Sequence, residues 1–311
     1  MPDGDARLSN FARTLIELGE ADDRVVVLAG DLARYVEVLP FAARFPDRFL
    51  NLGVAEANII GMASGLAKTG FRPIVATYGV FITRRAYDQV AMALTTGPTP
   101  VTLVGVLPGI TCRFRATHQP VEDMALMGAL PGMAVIDPAD DREMAAALKG
   151  GVAADHPTFI RALRGDRADV PGARAPGAGP LDPVEFGDEG SSVGMISTGL
   201  GTDWAIEAAT ILRGRGHGVR HLHVPRIKPF DTATVARFCR RFGHVVTVEN
   251  HVAHGGLFAA VASVVAQGGM GVRVTPCAIP DEWPPSGTVE FIRGEIGLDA
   301  PSIAAAAERG L

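Results

Sequence analysis

Lysine, cysteine, tryptophan and tyrosine are scarce in this sequence. The only lysines are Lys68, Lys149 and Lys228. The chain therefore lacks the lysine-rich tracts of a nucleic-acid or anionic-membrane surface, and a formal net charge of -5 points the same way. The remaining cations are arginines, scattered along the chain rather than gathered in a patch. Cys112, Cys239 and Cys277 lie far apart and form no Cys-x-x-Cys pair, which argues for a reducing compartment without a disulfide framework. No apolar run reaches the length of a membrane span. The opening MPDGDARLSN is acidic and polar, unlike a signal peptide. No G-x-x-x-x-G-K-[ST] loop and no metal-ligand cluster is present. A soluble cytoplasmic protein, bound to neither nucleic acid nor membrane, is the expectation.

What is present is apolar bulk in a regular order. The chain has 311 residues, 47% of them hydrophobic, with mean hydropathy +0.20. That is enough for about two domains. Buried β-branched runs such as Arg24–Gly30 alternate with amphipathic segments such as Leu8–Leu18, Arg84–Leu94 and Asp141–Gly151. Further strands are expected over Pro73–Ala76, Pro100–Val106, Ala134–Asp137 and Thr158–Ala162. This alternation predicts a doubly wound α/β domain with a mostly parallel sheet. Residues 166–190 are rich in Gly, Pro, Ala and Asp and read as a linker between a domain over 1–165 and a second α/β domain over 191–311. In the second domain, His221 and His223 fall two apart on a predicted strand, with no third ligand in sequence, and are expected at the surface.

The stretch Asn51–Gly70, NLGVAEANIIGMASGLAKTG, holds one carboxylate, Glu56, at the point where a short strand hands over to a helix. In open α/β sheets that point borders the ligand crevice. The helix dipole favours the carboxylate there, while apolar walls favour the acid. Two readings stand at this stage: a proton-transfer group, or an acidic residue that stabilises its own helix.

Several stretches in order, VLAGDLA (27–33), NLGVAEANIIGMASGLA (51–67), ATYGVFITRRAYDQV (76–90), THQPVEDMALM (117–127), VIDPAD (135–140), IKPFD (227–231) and VENHVAHGGL (248–257), resemble the C-terminal half of transketolase. The similarity is greatest to the C-terminal subunit of split, two-gene transketolases. It implies a thiamine pyrimidine-binding domain followed by a transketolase C-terminal domain. It also implies thiamine diphosphate as cofactor, with Glu56 hydrogen-bonded to the pyrimidine edge and promoting proton loss from the thiazolium carbon. Tyr78 and Phe81 match aromatics that pack on the pyrimidine. Leu32 matches an apolar cofactor contact; Asp31 beside it matches the family's Asp, with helix capping or a subunit contact as equal readings. Deoxyxylulose-phosphate synthases and the E1 β subunits of 2-oxo-acid dehydrogenases share the architecture.

The Gly-Asp-Gly signature that holds Mg²⁺ and the diphosphate in the family is missing, which implies a separate N-terminal partner subunit that supplies it, in an α2β2 assembly. On the substrate side, His118 matches a His that contacts substrate near the reacting carbon and can carry protons near neutral pH. Arg161 matches a strand-end Arg that binds the sugar phosphate, and Arg164 reads as a solvated linker residue. The family's acidic Gly-Glu-Asp-Gly appears as Cys112-Arg113-Phe114-Arg115. A family His appears as Leu107 and a phosphate-binding Ser as Tyr35. Exchange of hydroxyl and phosphate partners for Arg113 and Arg115 implies an anionic small-molecule substrate other than the ordinary pentose phosphates. Both arginines pointing into solvent, or pairing with the partner subunit, is the equal alternative.

Overall fold

A computed structural model describes residues 8–172, 174 and 177–311; residues 1–7, expected in the first domain, lie outside them. Twelve strands run in chain order: β1 Val25–Ala29, β2 Phe49–Asn51, β3 Arg72–Tyr78, β4 Thr102–Val106, β5 Ala134–Ile136, β6 Thr158–Ala162, β7 Val184–Gly187, β8 Val193–Ser197, β9 Val219–His223, β10 Arg226–Lys228, β11 His244–Val252 and β12 Arg273–Ile279. The continuous apolar runs become fully buried strands, as in β1, β4, β6 and β8, because helices cover both faces of a parallel sheet.

The first sheet has the order β10-β5-β6-β4-β3-β1-β2, parallel throughout except at its β10 edge. From β1 the chain crosses to β2 on one side and returns to β3 on the other. That reversal opens a crevice at the carboxyl ends of these strands. The second sheet has the order β12-β11-β8-β9-β7, with β7 the single antiparallel member.

Two strands depart from the sequence expectation. β7 falls inside the stretch read as linker and pairs with β9. β10 falls between Pro225 and Pro229, where no strand was expected, yet it pairs with β5 of the first sheet although its sequence lies in the second half of the chain. The linker is strapped down before β7. The Asp140 side chain caps the helix Asp141–Ala153 through Glu143 N and also accepts from Val170 N. Arg174 pairs with Glu143. One apolar cluster passes from Leu28 and Ile59 in the first domain to Leu222 and Val261 in the second, so the core is continuous across the junction. No helix among the described residues is long and apolar enough to cross a membrane.

His221 and His223 are buried, against expectation. His223 Nε2 lies 2.9 Å from Glu143 and its Nδ1 2.7 Å from Thr202 Oγ1. Thr202 meets Ser197, which meets His221 Nε2 at 2.6 Å. If His223 donates to Glu143, each hydroxyl must donate toward His223 in turn, and His221 donates to Ser197. His221 Nδ1 is then left without a partner. The strand pattern alone could not reveal that Glu143 and Thr202 wait on the other side.

Candidate active site

The crevice is built from strand ends. β1 delivers Asp31 and Leu32, β2 the helix that Glu56 starts, β3 Tyr78 and Phe81, and β4 the loop Leu107–Gln119. The loops after β1 and β2 pass so closely that a Cβ on Gly30 would stand 2.8 Å from the Gly53 carbonyl oxygen. Glu56 is the first residue of the helix Glu56–Lys68 and is 4% exposed. No side chain caps that helix.

The Glu56 carboxylate accepts from Arg85 Nη1 at 3.2 and 3.3 Å. The same guanidinium lies 4.7 Å from the centre of the Phe81 ring. Tyr78 stacks on Phe81 with ring centres 6.0 Å apart and planes 15° from parallel. His118 meets both edge-on, at 5.5 Å from Phe81 and 6.3 Å from Tyr78. Phe114 closes the group at 5.3 Å from His118. Leu32, Tyr78 and Leu107 pack on the same apolar core. Burial holds the Tyr78 hydroxyl above its ordinary pKa, with the charges of Cys112, Tyr35 and Asp31 adding to the rise and that of Arg164 opposing it. Glu56, Tyr78, Phe81, His118, Leu32 and Asp31 are thus gathered at one crevice.

Arg161 is not at that crevice. It is 1% exposed. Its Nε donates to Asp123 at 3.0 Å, Nη1 to Asp137 at 3.0 Å, and Nη2 to the Asn250 carbonyl at 2.8 Å. The reason is strand geometry: Arg161 lies within β6, on the side that the second domain covers. Arg164, three residues on and past the strand, is exposed and near Tyr78. Arg113 and Arg115 are exposed on the loop, and neither side chain has a hydrogen-bond or ion-pair partner among the described residues. Arg115 adopts a left-handed backbone with φ 47°.

Behind the crevice lies a wholly buried ionic layer. Burial pushes Asp123 up to about 6 against the pull of Arg161, and Glu249 up to about 8 although Leu257 N and Phe258 N donate to it at 2.7 and 2.8 Å. Burial holds His251 neutral, down to about 3; its Nδ1 donates to the Val252 carbonyl and its Nε2 accepts from Ala125 N. Asn250 clasps the start of the β4 loop, donating to the Pro108 carbonyl at 3.0 Å and accepting from Ile110 N at 3.0 Å. Gly109, between them, has φ 56°, and a Cβ there would stand 2.2 Å from the Asn250 amide oxygen. The stretch 76–90 contains Arg84 and Arg85 but assigns neither a role, and nothing in the sequence marks Trp283 as part of this site. The double arginine after Phe81 was the one available signal.

A heteroaromatic ring with a basic nitrogen at its edge requires a buried acid and a flat apolar face. Glu56 and Phe81 meet that requirement. Among the described residues no group of three or more His, Cys, Asp or Glu could hold a metal ion. Fold and crevice together place a buried acid and a flat aromatic face side by side on a two-domain α/β scaffold.

Comparison with known proteins gives that scaffold its family. Residues 8–168 match the transketolase pyrimidine-binding domain and residues 183–303 the transketolase C-terminal domain. A putative transketolase family protein of Sinorhizobium fredii is 36% identical over 97% of this chain and 88% of its own length. A 6-deoxy-6-sulfo-D-fructose transketolase subunit of a Clostridium species is 34% identical, over 96% of this chain and 92% of its own. A 1-deoxy-D-xylulose-5-phosphate synthase of Geobacter sulfurreducens is 33% identical, and the chain spans 47% of its length. Among solved structures, a split gene transketolase described as an inactive beta4 tetramer superposes with TM-score 0.84 at 31% identity, covering 97% of this chain and 96% of that one. The chain belongs to the transketolase family and carries its pyrimidine-binding and C-terminal domains.

Proposed function

We propose that this chain supplies the pyrimidine half of a thiamine diphosphate site, and that a second, N-terminal-type subunit supplies the diphosphate and Mg²⁺ half in an α2β2 complex. The observation that carries the reading is Glu56, buried at a helix start beside the Phe81 ring and facing the crevice that holds His118. Similarity to a split gene transketolase over nearly the full length of both chains supports the division of labour.

The cofactor, when bound, supplies a carbanion equivalent that adds to a carbonyl. The tasks of this chain are local. Glu56 shares a proton with the pyrimidine edge, Phe81, Tyr78 and Leu32 hold the ring, and Asp31 lines the same wall. His118 holds or moves a proton at the substrate oxygen. Arg113, Arg115 and Arg164 give the mouth a positive face for an anionic substrate. The overall reaction is transfer of a two-carbon ketol or acyl unit to an aldehyde or ketone, with a small-molecule substrate other than the ordinary pentose phosphates. The second reading is decarboxylation of a 2-oxo acid before transfer. The 33% identity to a deoxyxylulose-phosphate synthase and the basic loop favour giving it a test.

Reconstitution with the partner subunit, thiamine diphosphate and Mg²⁺, against a panel of ketose phosphates and 2-oxo acids, separates them. Turnover without CO2 supports ketol transfer; CO2 release from a 2-oxo acid moves the chain to the second reading. Glu56→Gln is expected to lower turnover by about 100-fold or more, and unchanged turnover would leave only an assembly role. Arg113→Ala with Arg115→Ala is expected to raise KM for the anionic substrate, and unaltered kinetics would show that both face solvent or the partner.

A further inference from the structure

We propose that Arg84 is a positioning residue that sets His118 against the Phe81 ring, with Trp283 of the second domain stacked on it as a fastening. This rests on the reading of His118 given above and adds to it a residue bonded to the loop on both sides of His118.

Arg84 follows Phe81 by three residues, inside the wide, π-type turn Phe81–Arg85. Its Nη2 donates to Glu122 Oε2 at 2.7 Å and to the Gln119 carbonyl at 2.7 Å. Its Nε donates to Glu122 Oε1 and its Nη1 to the Ala116 carbonyl. Ala116 and Gln119 bracket Thr117-His118, so one guanidinium holds the chain on both sides of His118. The opposite face of that guanidinium carries the Trp283 ring, 4.7 Å from its centre to Cζ. Trp283 is 48% exposed and follows β12, so the second domain reaches the His118 loop through it.

The loop needs such a hold. Its own order is two short turns, Gly109–Thr111 and Arg115–Thr117, with Thr117 Oγ1 donating to the Phe114 carbonyl, His118 N and Gln119 N to the Arg115 carbonyl, and Gln119 Nε2 to the Cys112 carbonyl at 2.8 Å; all of these bonds are internal to the loop. Arg115 is itself in the left-handed region. Asn250 fixes the loop at Pro108 and Ile110. Arg84 fixes it at Ala116 and Gln119, and the exposed apex Arg113–Arg115 lies between the two holds. An ordinary half-exposed ion pair would be worth little. Here the planar fork engages one carboxylate with two nitrogens, reaches two carbonyls in another direction and stacks on an indole. A lysine cannot reproduce that set. Because Arg84 and Phe81 share one turn, displacement of the ring platform and displacement of His118 are tied together. A misplacement of about 1 Å at a reacting group costs up to about 100-fold in rate.

The test uses the reconstituted complex and four variants: Arg84→Met, Arg84→Lys, His118→Asn and the double variant Arg84→Met/His118→Asn. Two readouts are followed, steady-state kinetics and the cofactor Kd by calorimetry. Arg84→Met is expected to lower kcat/KM by about 10- to 100-fold, with cofactor Kd moving less than about threefold, and Arg84→Lys is expected not to rescue it. The double variant is expected to be no slower than His118→Asn alone, because Arg84 acts through His118. Losses that multiply in the double variant, or an unchanged kcat/KM in Arg84→Met, overturn the proposal. Should Arg84→Met not fold, Glu122→Gln and Trp283→Phe are each combined with His118→Asn, and multiplying losses overturn it in the same way. A His118→Asn complex of full activity removes the reading of His118 and the inference with it.

Discussion

At the scale of single residues, Arg85 has the most to say about the crevice wall. It is 51% exposed, yet its guanidinium lies over Phe81 and pairs with the buried Glu56. Under the proposed function those are the two groups that must receive the pyrimidine ring, so Arg85 has to swing aside. The arginine side of the pair is open to solvent, and such a pair is worth about 1 kcal/mol, a penalty of about fivefold in affinity. Arg85→Met is therefore expected to tighten cofactor binding by up to about fivefold in the reconstituted complex, measured by calorimetric titration. Weaker binding would instead make Arg85 a ligand of the bound group. Glu56 itself was legible in the sequence, as the one carboxylate at a strand-to-helix handover. Its partner was not, because adjacency of Arg84 and Arg85 says nothing about which side of a wide turn each will take.

At the scale of elements, the end of β6 separates two arginines that look interchangeable in sequence. Arg161 sits within the strand and bonds two buried carboxylates; Arg164 sits past it, exposed and 4.0 Å from Glu37. Arg161→Met leaves Asp123 and Asp137 uncompensated and is expected to lower stability by about 3–5 kcal/mol, seen as a fall in the thermal midpoint. Arg164→Ala is expected to leave the midpoint in place and to raise KM for an anionic substrate. The opposite assignment of effects would restore Arg161 to the site.

The strands β9 and β11 carry a pH signature. Burial holds His221 and His251 down to about 3, well below the ordinary imidazole value of 6.5. A folded state that refuses these protons is at full strength above about pH 6.5 and loses stability as pH falls from there toward 3. The slope is about 1.4 kcal/mol per pH unit for each histidine. Asp123 and Glu249, pushed up to about 6 and about 8, tilt the curve the other way over part of that range, so the test is differential: relative to the parent chain, His221→Asn should lose one proton's worth of the acid-side slope in denaturant midpoints.

The elements also show what periodicity carries and what it leaves out. Long buried runs such as Val25–Ala29 and Thr158–Ala162 were readable because nothing but a covered strand tolerates them. The segment over residues 84–94 reads as a plain helix because Ala86, Val90 and Leu94 recur every fourth residue. The chain instead forms wide turns at Phe81–Arg85 and Val90–Leu94 around a short helix Tyr87–Gln89. Apolar positions four residues apart are compatible with either form. β10 has three residues between prolines, too few for any period to register.

At the scale of the whole molecule, the domains are sewn together rather than docked. Arg161 reaches Asn250, His223 reaches Glu143, and one apolar cluster runs through both halves. The chain is expected to unfold in a single transition, with calorimetric and van't Hoff enthalpies equal. Two separate transitions would show that the junction yields before either core.

The strand β10 has a consequence for anyone who would divide the chain. It comes from the later sequence, yet it closes the earlier sheet by capping β5. A fragment stopped in the Gly- and Pro-rich stretch would present β5 as a bare edge, with its row of unpaired amides and carbonyls open to any other strand. Such a piece would be sticky rather than merely incomplete, and its natural fate in solution would be to recruit a neighbour's strand in place of the missing one.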